Sequence, residues 1–268
     1  MEATKQAAKV AVIGGSGLYS LGSAVEEVWP HTPYGRPSDS IRLTEVGEHV
    51  VAFLPRHGRD HTIPPHQINY RANLSALASL GVERVIGPCA VGSLRPELEP
   101  GTVVVCDQFF DRTRGRQDTF YDGPEVAHLS VAEPYCPELR PLASDAGRKA
   151  GFSVTSSGTV VVIQGPRFST RAESQWFGRM GGDIVGMTQY PEVVLARELG
   201  MCYVTMAVVT DYDAGLAGRP DVAPVTHEDV IAAFGRSREK LVQALQFLIA
   251  AVPAVQGCDC PKAAHGGR

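Results

Sequence analysis

The sequence predicts an α/β protein, a single domain with a central mixed β-sheet flanked by helices. Apolar runs and amphipathic stretches alternate along the chain, separated by Gly and Pro signals. Several runs are almost continuously apolar, as in strands covered on both faces. No internal repeat, low-complexity segment or shift of composition marks a linker. Residues 9–252 are therefore expected to form one domain, after a flexible N-terminus (1–8) and before a loose C-terminal tail (253–268).

In chain order, residues 9–13 read as a short apolar strand ending in Gly14-Gly15-Ser16-Gly17. Residues 41–46 and 49–54 read as paired strands turning at Gly47-Glu48. Pro64-Pro65 opens a helix running through Asn69 to Leu80, with Leu74, Leu77 and Leu80 on one face and Gly81 as its stop. A buried strand at 82–86 leads into a turn of small residues, Gly87 to Ser93, and 103–106 is another strand. Residues 111–128 are polar, aromatic and aperiodic, a long loop of the kind that serves a site or an interface. Then come a helix at 137–150, a β-branched strand at 154–164, a helix at 169–180 and a short strand at 183–185. A helix at 191–199, closed by Gly200, precedes an apolar strand at 201–210. Thr226 caps a terminal helix that reaches Val252, with Glu228 and Asp229 at its positive end.

The composition bounds the function. With 268 residues, a net charge of -4, 44% apolar and 20% charged residues, the chain is neither disordered nor basic enough for a nucleic-acid partner. No run approaches the ~18 apolar residues of a membrane span. The polar start shows no signal-peptide pattern, so a cytoplasmic location is expected. Of six cysteines, Cys89, Cys106, Cys136 and Cys202 lie in or beside apolar segments and read as buried free thiols. Cys258 and Cys260 form a Cys-Asp-Cys that reads as ordinary tail thiols, with a disulfide as the alternative. Zinc would need two more ligands, of which His265 is one candidate and no other is evident. No metal is expected.

Candidate site residues gather at predicted strand ends, where ligands of α/β sheets bind. Gly14 to Gly17 offers backbone N–H groups and the Ser16 hydroxyl to an anion. It is a poor dinucleotide fingerprint, since Ser20 takes the last glycine position and no helix with a ribose-binding acid follows. Arg56 suits forked recognition of phosphate, and His57 is a further donor. Cys89 and Ala90 lie in the small-residue turn. Phe168, after the strand at 154–164, can stack on a flat ring. Gly186-Met187-Thr188 offers a polarizable thioether and a hydroxyl. Asp211 and Asp213 end a buried strand, where repulsion and burial should raise one pKa and make a general acid. An oxyanion cage, a flat apolar surface and an acid together fit a nucleoside plus phosphate.

Five segments then resemble a known family at its spacing. Gly14 to Gly17, Pro55 to Gly58, Asn69 to Asn73, Gly165 to Glu173 and Thr210 to Asp213 look like the 5′-methylthioadenosine phosphorylases of the trimeric purine nucleoside phosphorylase family. The match runs from about Lys9 to Val252. The resemblance implies a purine nucleoside phosphorylase-like fold, a homotrimer, and phosphorolysis with inorganic phosphate as co-substrate and no cofactor. It places Ser16, Arg56, His57, Cys89, Ala90 and Thr188 on phosphate. Cys89 stands where the family usually has Thr, so the backbone would replace a hydroxyl contact. Phe168, Ser169, Gly186 and Met187 would line the nucleoside, and Asp211 and Asp213 would face the purine. His128 would reach a neighbouring subunit's 5′ pocket, with Val230 or Phe234 as further liners of that pocket. Gly186 is more like the 6-oxopurine enzymes, whereas Ser169 with two carboxylates favours a 6-aminopurine, because a carboxylate accepts from an amine and repels a carbonyl.

Overall fold

The structure, a computed structural model, describes residues 8–15, 18, 21–22, 24–214, 216, 222 and 226–263. Its strands form two mixed sheets. The first contains β1 (Val10–Gly14), β2 (Ala24–Val28), β3 (Ile41–Val46), β4 (His49–Pro55), β5 (Arg84–Ile86) and β12 (Cys202–Val204), in the order β12-β5-β1-β4-β3-β2. The second contains β6 (Cys89–Ser93), β7 (Thr102–Val104), β8 (Gln108–Arg112), β9 (Ser153–Thr155), β10 (Thr159–Ile163), β11 (Ile184–Gly186) and β13 (Ala207–Tyr212), in the order β8-β10-β11-β6-β13-β7-β9. The helices are α1 (Tyr70–Ser79), α2 (Leu139–Lys149), α3 (Arg171–Arg179), α4 (Gln189–Glu198), α5 (His227–Ala251) and the short α6 (Cys260–Ala263).

The expected central sheet is thus present in two parts. Two direct strand-to-strand passages join them, β5 into β6 and β12 into β13, each after a break of two residues, and α4 carries the chain back from β11 to β12. The break at Gly87-Pro88 needs glycine, because a Cβ on Gly87 would overlap the Tyr203 ring and hydroxyl. The small-residue turn expected at 87–93 is therefore mostly strand β6. Likewise, the single apolar strand expected at 201–210 is β12 and β13, in different sheets. Both segments are buried, so no change of hydrophobic period marks the crossing. The strand expected at 154–164 also divides, into β9 and β10. Strand β2 has no sequence signature, because its residues are mostly exposed.

Two apolar layers hold the sheets. Leu74 and Leu77 of α1 pack with Leu54, Val85 and Val193 in one cluster; Leu241, Leu245 and Leu248 of α5 pack with Val12, Phe53 and Ile86 in the other. Local signals set the helix ends. Asn69 caps α1, its side chain accepting from the Ala72 N–H at 3.1 Å. Thr170 with Glu173 and Thr226 with Asp229 form capping boxes on α3 and α5. The long loop is tied down over residues 116–120. Arg116 donates to the Gln164 carbonyl (2.9 Å) and the Tyr70 hydroxyl (3.2 Å), and the Glu198 carboxylate accepts from Thr119 Oγ1 and the Phe120 N–H.

The tail differs from expectation. Residues 253–263 are docked on the body: Cys260 is 2% exposed, and the Gln256 amide donates to the Glu83 carbonyl at 3.4 Å. At the other end Ala8 is buried. His265 lies outside the described residues, as do Ser16 and Gly17. Among the described residues, no helix is long and apolar enough to cross a membrane.

Candidate active site

A cavity of about 550 Å³ opens where strand ends of both sheets converge. Gly15 follows β1, Arg56 and His57 follow β4, and Gly186 ends β11 with Met187 and Thr188 behind it. Asp211 lies next to the end of strand β13 and Asp213 just beyond it. Residues Cys89, Ala90 and Gly92 line the cavity from within β6, and Phe168 and Ser169 from the segment leading to α3. Of the expected site residues, all but Ser16 and His128 therefore meet in one place. His128 is exposed and does not line this cavity, and Ser16 is not described.

The cationic wall is built on a buried ion pair. Arg56 is 1% exposed, and its Nε and Nη2 donate to the two carboxylate oxygens of Glu192, both at 2.7 Å. Its fork is therefore occupied, contrary to forked binding of an anion. The third nitrogen, Nη1, donates to the Pro88 carbonyl at 3.2 Å and lies where a Cβ on Gly15 would sit 3.1 Å away. Glycine at 15 thus lets the first turn lie directly on the guanidinium. Burial opposes the charge on Arg56, but the neighbouring Glu192 carboxylate outweighs it and raises the pKa above its ordinary value. The Tyr203 hydroxyl adds a further donor to Glu192, at 2.7 Å. Glu192 carries no signal in the sequence: it follows Pro191 in a helix, and only its complete burial reveals its part.

His57 is 6% exposed, and its Nδ1 lies 2.8 Å from the Ile63 carbonyl. A carbonyl only accepts, so Nδ1 carries the proton there. The His57 ring stacks on His61, with centroids 4.5 Å apart. The Cys89 thiol faces Thr205 Oγ1 (3.7 Å) and accepts from the Gln189 amide (3.4 Å), and burial pushes its pKa up, so it remains a neutral thiol. Thr188 stands at the N-cap of α4 but makes no capping hydrogen bond, which leaves its hydroxyl for the cavity.

On the acidic wall, the pairing of β13 with β6 shifts register between Val209 and Asp211. Such bulges re-aim side chains next to sites. Burial, with a smaller push from Asp213, raises the Asp211 carboxyl to about 6, against a hydrogen bond of 2.7 Å from the Thr210 hydroxyl. Asp213 is 2% exposed, and burial raises it also, with the nearby Ser174 and Ser169 hydroxyls opposing. Its Oδ2 and the Ser169 hydroxyl oxygen are buried yet complete no hydrogen bond of ordinary geometry among the described residues. Buried polar atoms of this kind are costly unless a ligand meets them.

Both acids approach Gly92 closely. A Cβ there would lie 3.0 Å from Asp211 Oδ1 and 3.2 Å from the Asp213 Cβ. Gly92→Ala should therefore displace both carboxylates and lower kcat/KM by about tenfold or more, with a modest loss of stability, as small misplacements in active sites do. Steady-state kinetics beside a urea melt will check this; parent-like kinetics would show that the acids tolerate the shift. Of the two residues suggested for a 5′ pocket, Val230 lines the cavity, while Phe234 is fully buried in the core under α5.

Residues 9–250 match the profile of the phosphorylase superfamily. The chain is 53% identical to the S-methyl-5′-thioadenosine phosphorylase of Mycobacterium tuberculosis, over 92% of this chain and 90% of that one. It is 51% identical to a purine nucleoside phosphorylase of Streptomyces coelicolor, over 99% and 97%. Among solved structures, methylthioadenosine phosphorylase from Schistosoma mansoni in complex with adenine superimposes with a TM-score of 0.89, at 37% identity over 96% of both chains.

Proposed function

Because the chain belongs to the phosphorylase superfamily, we propose that it cleaves 5′-methylthioadenosine with inorganic phosphate, giving adenine and 5-methylthioribose 1-phosphate. The observation that carries this reading is a single cavity with acids of raised pKa on one wall and Arg56, His57 and Thr188 on another. A phosphate on the cationic wall meets Arg56 Nη1, His57, Thr188, the backbone at Gly15 and Ala90, and Ser16. Cys89 contributes through its backbone, since its thiol is a weak donor. The C1′–N9 bond breaks ahead of attack, and phosphate oxygen bonds to C1′ of the ribosyl cation. The bound phosphate anion stabilises that cation at close range. The electrons of the broken bond pass to the purine, and Asp211 supplies the proton to N7. Phe168 and Met187 cover the base and ribose.

The base preference follows from Asp213. Its buried Oδ2 completes no hydrogen bond of ordinary geometry among the described residues, and a 6-amino group supplies N–H donors where a 6-oxo group has none. Gly186 and the name of the Streptomyces relative favour a second reading, a 6-oxopurine nucleoside such as 5′-methylthioinosine. The pocket for the 5′ group is completed by a partner subunit in this proposal. His128 sits on the exposed part of the long loop beside Val126, which is 72% exposed, and a homotrimer would carry that loop to a neighbouring cavity. The reaction needs no cofactor, and a cytoplasmic location suits it.

The test is release of free base from 5′-methylthioadenosine and 5′-methylthioinosine, with and without phosphate. Phosphate-dependent release of adenine at least about tenfold faster than hypoxanthine is expected, in line with what one mismatched polar contact costs. Faster hypoxanthine release would establish the second reading. Base release at the same rate without phosphate would overturn both.

A further inference from the structure

Four of the six cysteines come together from three distant parts of the sequence. Cys136 precedes α2, Cys202 starts β12, and Cys258 and Cys260 lie in the docked tail. Their sulfurs all lie within 4.8 Å of one another. None of the four lines the catalytic cavity. We propose that these four thiols form a structural site for a tetrahedrally coordinated zinc ion, which fastens the C-terminal tail to the body of the domain.

The spacing supports a metal at the centre. Zinc–thiolate bonds of ~2.3 Å in a tetrahedron place sulfurs ~3.8 Å apart. Cys136 and Cys258 are 3.7 Å apart, and Cys202 and Cys258 are 3.3 Å apart. A disulfide needs ~2.0 Å, and would use these sulfurs in pairs instead of as one cluster.

The surroundings also suit thiolates. The Gln256 amide donates to Cys202 Sγ at 3.3 Å, and the Arg197 guanidinium to Cys260 Sγ at 3.8 Å. N–H donors of this kind stabilise and orient ligand sulfurs. Binding displaces the thiol protons to solvent. Cys136, Cys202 and Cys260 are buried and Cys258 half-buried, so the site is closed, as structural zinc sites are. The tail pair alone lacks partners in the sequence, because the two residues that complete it are separated by long apolar segments and look like core.

The full chain, produced in zinc-supplemented cells and handled without chelator or oxidant, should retain about one zinc per chain by elemental analysis. Four thiols should resist a thiol reagent until a chelator is added. Cobalt exchanged into the site should show the visible bands of tetrahedral thiolate coordination. Cys258→Ser and Cys260→Ser should each lose most of the zinc and lower Tm, with phosphorolysis at 25 °C within about twofold of the parent, because the cluster lies outside the cavity. Metal-free parent protein prepared in this way would overturn the proposal. So would mass spectrometry showing disulfides among these four residues in protein prepared without oxidant. The metal content of the parent protein decides the matter even if the variants fail to fold.

Discussion

Asp211→Ala is expected to lower kcat/KM for 5′-methylthioadenosine by roughly 10²–10⁴-fold, the range for removing a general acid. Adenine is a poor leaving group as an anion, so the proton at N7 determines how easily the C1′–N9 bond breaks. Asp211 can carry that proton because burial raises its pKa to about 6. The sign of the pH effect follows. A general acid acts in its protonated form, which dominates below about 6 and falls tenfold per pH unit above it. The parent enzyme should therefore lose kcat/KM on the alkaline side, and Asp211→Asn, which cannot titrate, should lose that limb. Asn also replaces a carboxyl that, once ionised, repels a 6-oxo group, by an amide that donates to one. The Asn variant should shift preference toward 6-oxopurine nucleosides while the Ala variant is slow on both. Kinetics of the three enzymes on both substrate classes from pH 5 to pH 9 test this. Equal adenine release by Asp211→Ala and the parent would remove Asp211 from the chemistry.

The same acid shows how far the sequence can be read. Asp211 and Asp213 stood out because two carboxylates closing an apolar strand are expensive without a use. Arg56, His57 and Thr188 stood out because they follow strands and precede turns or helices. Helix ends were equally legible, since Asn69, Thr170 and Thr226 act on their immediate neighbours. What the sequence does not display are relations between distant buried segments. The passage of 201–210 from one sheet to the other leaves no mark, since its strands are buried in both. The small residues at 87–93 serve a strand crossing rather than a turn, because Gly87 answers to Tyr203, far along the chain. Cys136 and Cys202 read as core for the same reason: nothing local distinguishes a buried thiol from one facing three others.

Glu192 is the most consequential of these hidden residues, and its removal should have the largest effect on stability. Glu192→Ala leaves the Arg56 guanidinium buried with no counter-charge. Breaking such a pair costs about 3–5 kcal/mol, a large part of the usual stability of a domain. Arg56→Ala should be similarly damaging, because it strands the carboxylate, although Tyr203 still donates to it. Stability alone would therefore not distinguish a structural pair from a phosphate site. A double variant does. Arg56→Met with Glu192→Leu replaces the pair by apolar side chains of related size, and such replacements are often neutral in stability. Urea melts should place the double variant near the parent and both single variants well below it. Phosphate kinetics should separate the two roles. The double variant should keep a high apparent KM for phosphate, raised about tenfold or more, because it lacks the Nη1 that faces the Gly15 turn. A stable double variant with parent-like phosphate KM would show that Arg56 shapes the cavity floor without binding the anion.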